Sequence, residues 1–214
     1  IMHIIQQKKL YIFDMDGTLL DSMAMWETLG STYLRAKGIV PPDDVKEIIE
    51  AKTLEEAAEY FINELHVGGT VPSVVDEILS IIRDQYTYAL AMKPSMKELV
   101  LNEYRHGSRM CILTTTARDL AIAAMKRIGI LECFENVFTP ENMKLSKRTP
   151  EIYIKTCEIM GFNPVDTIVY EDALYAAKSA KEAGCYLIAV YDDMNKNDWS
   201  KIKELADETI TARG

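Results

Sequence analysis

The chain has 214 residues, 48% of them hydrophobic and 27% charged, and a formal net charge of −9. That supplies enough apolar material for one large domain or two smaller ones. The acidic balance argues against a general nucleic-acid or membrane-surface binder, because phosphate backbones and anionic lipids require clustered Lys and Arg.

No apolar run approaches the roughly 20 residues of a membrane span, and the start shows no signal-peptide pattern; the expected location is the cytoplasm. Cys111, Cys133, Cys157 and Cys185 are scattered without a C-x-x-C pair. They read as reduced thiols packed as small apolar groups. His3, His66 and His106 lie near no cysteine pattern and form no H-E-x-x-H, so a zinc site is not expected.

In chain order, "KKLYIFDMD" reads as a strand that runs straight into Asp14 and Asp16. Two carboxylates one residue apart, with Asp21 close by, repel each other and require compensation by a bound cation, a capping turn or catalysis. The next stretch is helical throughout. "DSMAMWETLGSTYLRAKGI" places Met25, Trp26, Leu29, Tyr33 and Ala36 on one face, with Gly38 as the stop. "PPDDVKEIIE" opens with prolines and acids, as helices do. "TLEEAAEYFINEL" offers a capping box, Thr53 with Glu56. "VGGT" from Val67 to Thr70 reads as a turn, and "VPSVVDEILSIIRDQYTYAL" as a long amphipathic helix capped by Ser73. No strand is expected between residues 22 and 91.

Beyond "MKPSMKELVLNEYRHGS" short strand-like runs alternate with helices: "RMCILT", "RDLAIAAMKRIG", "FENVFT", "TPEIYIKTCEIMG", "DTIVYED", "ALYAAKSAKEAG", "CYLIAV", "DWSKIKELA" and "DETIT". This alternation predicts an α/β fold, a parallel sheet with helices on both faces. The core is residues 1–21 and 92–214, interrupted after its first strand by an all-helical insert, residues 22–91. Such sheets hold ligands at the carboxyl ends of their strands. Asp14, Asp16 and Thr18 follow the first strand; Thr114, Thr115 and Thr116 follow "RMCIL"; Lys147 precedes "TPEIYIK", with Lys144 and Arg148 nearby; Glu171 and Asp172 end "DTIVY". Each has an ordinary structural explanation alone, as cap, loop or solvated charge. Together they bring acids, hydroxyls and an ammonium to one sheet edge.

"FDMDGTLLDS", then an apolar strand ending in Thr, then a Lys before "TPEIY", then an acid pair after a strand, resembles the haloacid dehalogenase (HAD) superfamily along the whole chain. The helical insert resembles that superfamily's first class of cap, as in phosphoglycolate phosphatases and β-phosphoglucomutases. The resemblance implies a Rossmann-like core, Mg2+ and a small phosphorylated metabolite as substrate. It makes Asp14 the nucleophile that becomes an aspartyl-phosphate and Asp16 the general acid and then base. It makes Asp14, the Asp16 carbonyl and Asp172 the metal ligands, with Glu171 as an outer or alternative ligand. Thr114 and the Thr115 N–H would hold phosphoryl oxygens, and Lys147 would pair with Asp14 and the phosphate. The family's proline after the lysine is Arg148 here, which keeps Lys144 as a rival.

The mutases carry a histidine in the first cap helix where this chain has Trp26, and an arginine near Leu54. Both departures favour a phosphatase over a mutase. Trp26 reads as cap core or as an apolar wall of a substrate pocket, and Lys52 is the nearby cation that could view a substrate. A fold kept for binding or regulation without turnover is the reading from another class, and the complete acid set opposes it. No P-loop, G-x-G-x-x-G or G-x-S-x-G pattern is present. The sequence specifies neither the substrate nor an oligomeric state.

Overall fold

The computed structural model describes residues 9–211. His3 and the segment read for a signal pattern lie outside the described residues.

Among the described residues six short strands form one parallel sheet: β1 (Leu10–Phe13), β2 (Arg109–Leu113), β3 (Asn136–Phe138), β4 (Thr167–Glu171), β5 (Tyr186–Val190) and β6 (Glu208–Ile210), in the order β3-β2-β1-β4-β5-β6. Continuous apolar runs suit these strands, because helices cover both faces of a parallel sheet. Every residue of β4 is buried. The helices of this unit are α5 (Met96–Arg105), α6 (Arg118–Ile128), the single turn α7 (Pro140–Met143), α8 (Glu151–Met160), α9 (Leu174–Glu182) and α10 (Trp199–Leu205). Leu10, Ile12, Leu113, Tyr153, Val169 and Leu187 meet in the core on one face of the sheet; on the other face Phe13 stacks on Tyr170 with ring centroids 4.5 Å apart. All four cysteines are buried and none is disulfide-bonded.

Strand order places the site. From β1 the chain pairs with β2 on one side and β4 on the other, so the connections leave in opposite directions and open a crevice at the carboxyl ends. The register sets Phe13 beside Tyr170 and Ile112. One residue further, Asp14 falls beside Glu171, on neighbouring strands about 4.8 Å apart.

The second compact unit is Ser22–Ala89. It contains α1 (Met23–Ala36), α2 (Val45–Glu50), α3 (Leu54–Asn63) and α4 (Val71–Asp84). Leu90 and Ala91 group with the α/β unit, where the Asp21 N–H donates to the Ala91 carbonyl at 2.9 Å. Helix α1 stops as expected, with Gly38 at φ 74°. Its buried stripe is Gly30, Tyr33 and Leu34 rather than the full face expected, and Ala36 is exposed. Gly30 lets α1 approach α2 closely: a Cβ there would push the Ile49 Cδ1 methyl aside. The Thr53–Glu56 capping box is present in both directions.

The cap of α4 is a correction. It is Thr70, not Ser73: Thr70 is extended and accepts from the Ser73 N–H, and the Ser73 hydroxyl accepts from the Thr70 N–H. Pro72 fits inside the first turn, where its missing N–H leaves no bond unmade. The same helix does not continue regularly to Leu90: Gln85–Ala89 is a π-helical turn. Among the described residues no helix is long and apolar enough to cross a membrane.

Candidate active site

The site begins with backbone geometry. The Asp14 N–H extends the β1–β4 pairing by donating to the Tyr170 carbonyl at 3.0 Å, which fixes the carboxylate at the strand end. The chain then turns back tightly: the Leu19 and Leu20 N–H groups both donate to the Met15 carbonyl, at 2.9 and 2.8 Å. Gly17 has φ 85° in this turn, a conformation that a side chain strains.

Asp14, Glu171 and Asp172 each present a carboxylate oxygen within 4.8 Å of the others. All three are buried. Lys147 enters this acid cluster from the loop between α7 and α8. Its Nζ donates to Asp14 Oδ1 and Glu171 Oε2 at 2.8 Å each and to the Leu113 carbonyl at 3.2 Å. Three protons thus meet three acceptors. Lys144 is exposed and ends α7 in a left-handed conformation, so Lys147 is the lysine paired with Asp14. Arg148 lies with its guanidinium 4.5 Å from the centre of the Tyr175 ring.

The charges do not balance. Three buried carboxylates face one ammonium. Burial and then the Glu171 charge raise the Asp14 pKa to about 6, against the pull of Lys147. Burial followed by the Asp14 and Glu171 charges holds Asp172 well above the usual carboxylate range. Burial works to strip the proton from Lys147, yet Asp14 and Glu171 outweigh it and keep the ammonium well above the ordinary lysine range. Such a cluster binds protons or a cation more readily than it stays fully ionised. An oxygen-only donor set with this excess of negative charge fits a hard divalent ion.

Not every expected residue joins the cluster through its side chain. Both Glu171 oxygens are engaged, Oε2 by Lys147 and Oε1 by the Asp172 and Ala173 N–H groups at 3.0 Å each. Asp16 Oδ2 accepts from the Thr116 hydroxyl at 2.6 Å. Thr114 is buried and its Oγ1 accepts from the Thr116 N–H at 3.1 Å, which leaves its own proton for another acceptor. Thr115 is exposed. In the helical unit, Trp26 donates through Nε1 to the Tyr86 hydroxyl at 2.9 Å with 38% of its surface exposed. Lys52 is exposed on the turn between α2 and α3.

Residues given no role from sequence also act here. Thr18 Oγ1 donates to Asp172 Oδ1 at 3.0 Å and Asn195 Nδ2 to Asp172 Oδ2 at 2.6 Å. Thr18 and Thr116 stood inside the motifs already quoted. Asn195 lies in "YDDMNKND" after β5, a strand end that carried the same signal of polar residues following an apolar run.

A family model described as haloacid dehalogenase-like hydrolase matches residues 11–190. The chain belongs to this family. Among its relatives are hexitol phosphatase A of Escherichia coli, 29% identical over 85% of this chain and 82% of that protein. Another is the validoxylamine A 7'-phosphate phosphatase of Streptomyces hygroscopicus subsp. limoneus, 27% identical over 85% of each. In fold, this haloacid dehalogenase-like hydrolase is similar to a Thermotoga maritima protein solved as a candidate β-phosphoglucomutase. The TM-score is 0.82, with 19% identity over 95% of this chain and 94% of that one. It is also similar to CbbY from Rhodobacter sphaeroides in complex with phosphate, with TM-score 0.71, 19% identity, and 95% and 94% coverage.

Proposed function

We propose that the chain is a Mg2+-dependent phosphatase that hydrolyses a small phosphorylated metabolite, of sugar-phosphate type, through an aspartyl-phosphate on Asp14. The carrying observation is the buried grouping of Asp14, Glu171 and Asp172, with the Lys147 ammonium bonded to the first two. The substrate class is supported by the names of relatives, which include the phosphorylated carbohydrates phosphatase of Thermotoga maritima.

Lys147 keeps Asp14 ionised and offsets the repulsion between it and an incoming phosphate. Asp14 attacks phosphorus, and the bond from phosphorus to the alcohol oxygen breaks. Asp16 donates its proton to that oxygen. Asp16 then takes a proton from water as the water attacks the aspartyl-phosphate, which frees phosphate and restores Asp14. Thr116, through its hydroxyl bond, orients the Asp16 carboxyl. Thr114 and the Thr115 N–H donate to the phosphoryl oxygens. Asp14, Asp172 and the Asp16 carbonyl would hold the cation, which supplies positive charge to the transferring phosphoryl group.

The mutase reading retains support from the fold likeness to the candidate β-phosphoglucomutase. Against it, Trp26 stands where those mutases carry a histidine, and its indole N–H, engaged by Tyr86, has no acid–base chemistry to offer. The test is a panel of phosphorylated sugars, nucleotides and short acids, assayed with and without Mg2+, with Asp14→Asn as control. Metal-dependent phosphate release that disappears in the variant supports the phosphatase. Interconversion of glucose 1- and 6-phosphates without release supports the mutase, and no turnover of any substrate supports a binding protein. Trp26 and Lys52 are the residues of the helical unit to vary first once a substrate is found.

A further inference from the structure

Lys93 is a largely buried lysine that the chemistry above does not use. It lies between Met92, which bridges to Leu20, and helix α5, with its side chain 10% exposed. Its N–H donates to the Leu19 carbonyl at 2.8 Å. Its Nζ donates to the Gly17 carbonyl at 2.8 Å, the Tyr191 carbonyl at 2.6 Å and Asp192 Oδ2 at 2.9 Å. An ammonium has three protons, and here all three are used on two different loops.

Both loops end on the same carboxylate. Gly17 precedes Thr18, whose hydroxyl holds Asp172 Oδ1. Asp192 Oδ1 accepts from the Met194 N–H at 2.9 Å and so caps the turn that carries Asn195, whose amide holds Asp172 Oδ2. Each oxygen of Asp172 is therefore fixed by a loop that Lys93 ties down a few residues away. Removing the ammonium would take one donor from each of the Gly17 carbonyl, the Tyr191 carbonyl and Asp192 Oδ2, and both loops would lose the anchor that aims Thr18 and Asn195.

We propose that Lys93 is a positioning residue for Asp172, acting through the Gly17–Thr18 turn and the Tyr191–Asn195 loop to set the direction in which that carboxylate meets a divalent cation. This rests on Asp172 being a metal ligand. Partners that hydrogen-bond a metal ligand directly, as Thr18 and Asn195 do Asp172, change metal affinity about 10- to 100-fold when removed, and Lys93 acts through both.

The test is calorimetric titration of Mg2+ and of Mn2+ into the full chain without substrate, for the wild type, Lys93→Met, Lys93→Arg, Asn195→Ala and the Lys93→Met/Asn195→Ala double variant. Lys93→Met is expected to weaken metal binding about 10-fold, and Lys93→Arg to recover part of the loss. Asn195→Ala is expected to weaken it in the same sense. The double variant should lose less than the product of the two single effects, because they share one loop. Wild-type metal affinity in Lys93→Met, with only the thermal midpoint lowered, would overturn the proposal. If Lys93→Met does not fold, wild-type affinity in both Lys93→Arg and Asn195→Ala overturns it equally. Because metal binding is read without substrate, a wild type that cleaves no phosphoester counts against the phosphatase reading and not against this one.

Discussion

In the helical unit the helix-starting side chains bond three residues away, Thr53 with Glu56 and Thr70 with Ser73. In the α/β unit, Lys147 reaches an Asp14 that precedes it by 133 positions, and Thr18 reaches an Asp172 that follows it by 154. The helical unit does have distant bonds, Trp26 to Tyr86 and Tyr33 to Glu77, but neither is buried beyond reach of water. The difference separates two kinds of polar group. Those of the helical unit satisfy the chain's own ends at small cost. Those of the sheet edge are gathered, buried and left with excess negative charge, an arrangement that lowers stability unless a cation or a proton joins it. Stability and chemistry therefore pull against each other in one unit only.

The comparison is broken most severely at Asp14. Asp14→Asn is expected to lower turnover of an aryl phosphate at least about 10³-fold, since it removes the proposed attacking group. The same variant should raise the thermal midpoint of the metal-free protein at neutral pH, because an amide carries no buried charge. A fall in both quantities would contradict the account.

Lys147→Met comes next. It leaves Asp14 and Glu171 without their shared cation, and breaking a buried pair in this way costs about 3–5 kcal/mol. Urea unfolding monitored at neutral pH reads that loss. A variant as stable as the wild type would show that the acids are solvated rather than buried.

A smaller effect concerns pH. Asp14 has its folded pKa raised from 3.8 to about 6. The metal-free fold thus holds a proton that the unfolded chain releases, so this contribution is present at low pH and is lost as pH rises through about 6. Asp172, also raised, acts in the same sense. The thermal midpoint of chelator-treated protein should decline across that window, and Mg2+ should flatten the decline. Metal affinity should weaken as pH falls below about 6, where protons compete for the same oxygens.

The smallest effect belongs to the helical unit. Thr53→Ala should cost about 1 kcal/mol by removing one N-cap. Faster amide hydrogen exchange is expected in α3, with metal affinity untouched. An effect on metal binding would contradict a purely local role for Thr53.

What the sequence disclosed follows the same division. The strands were legible because each is an apolar run closed by polar residues, and the strand-end rule led to Asp14, Thr114, Glu171 and Asp172, while Lys147 was singled out by the resemblance, from its spacing before "TPEIY". The Thr53–Glu56 box was legible because it is local. The turn over Val67–Thr70 does lie between α3 and α4, but its last residue, Thr70, caps α4 in place of Ser73, because Pro72 needs no N–H partner inside the first turn. The π-helical turn at Gln85–Ala89 escaped because five residues are too few to separate its period from that of an α-helix. Lys93 and Asn195 escaped for another reason: nothing beside them in the chain carries the partners they meet, and only the fold supplies Gly17, Tyr191 and Asp172.

Asp16→Asn tests most directly whether Asp14 is the group that takes the phosphoryl. An aryl phosphate with a good leaving group needs little protonation, so the first step should proceed in this variant while attack by water stalls for want of a base. After rapid acid quench, mass spectrometry of the peptide containing Asp14 should show a phosphoryl group on that residue, in proportion to a burst of released phenol. A burst with the phosphoryl group on another residue, or steady turnover with no phosphorylated peptide at any time, would contradict that role for Asp14.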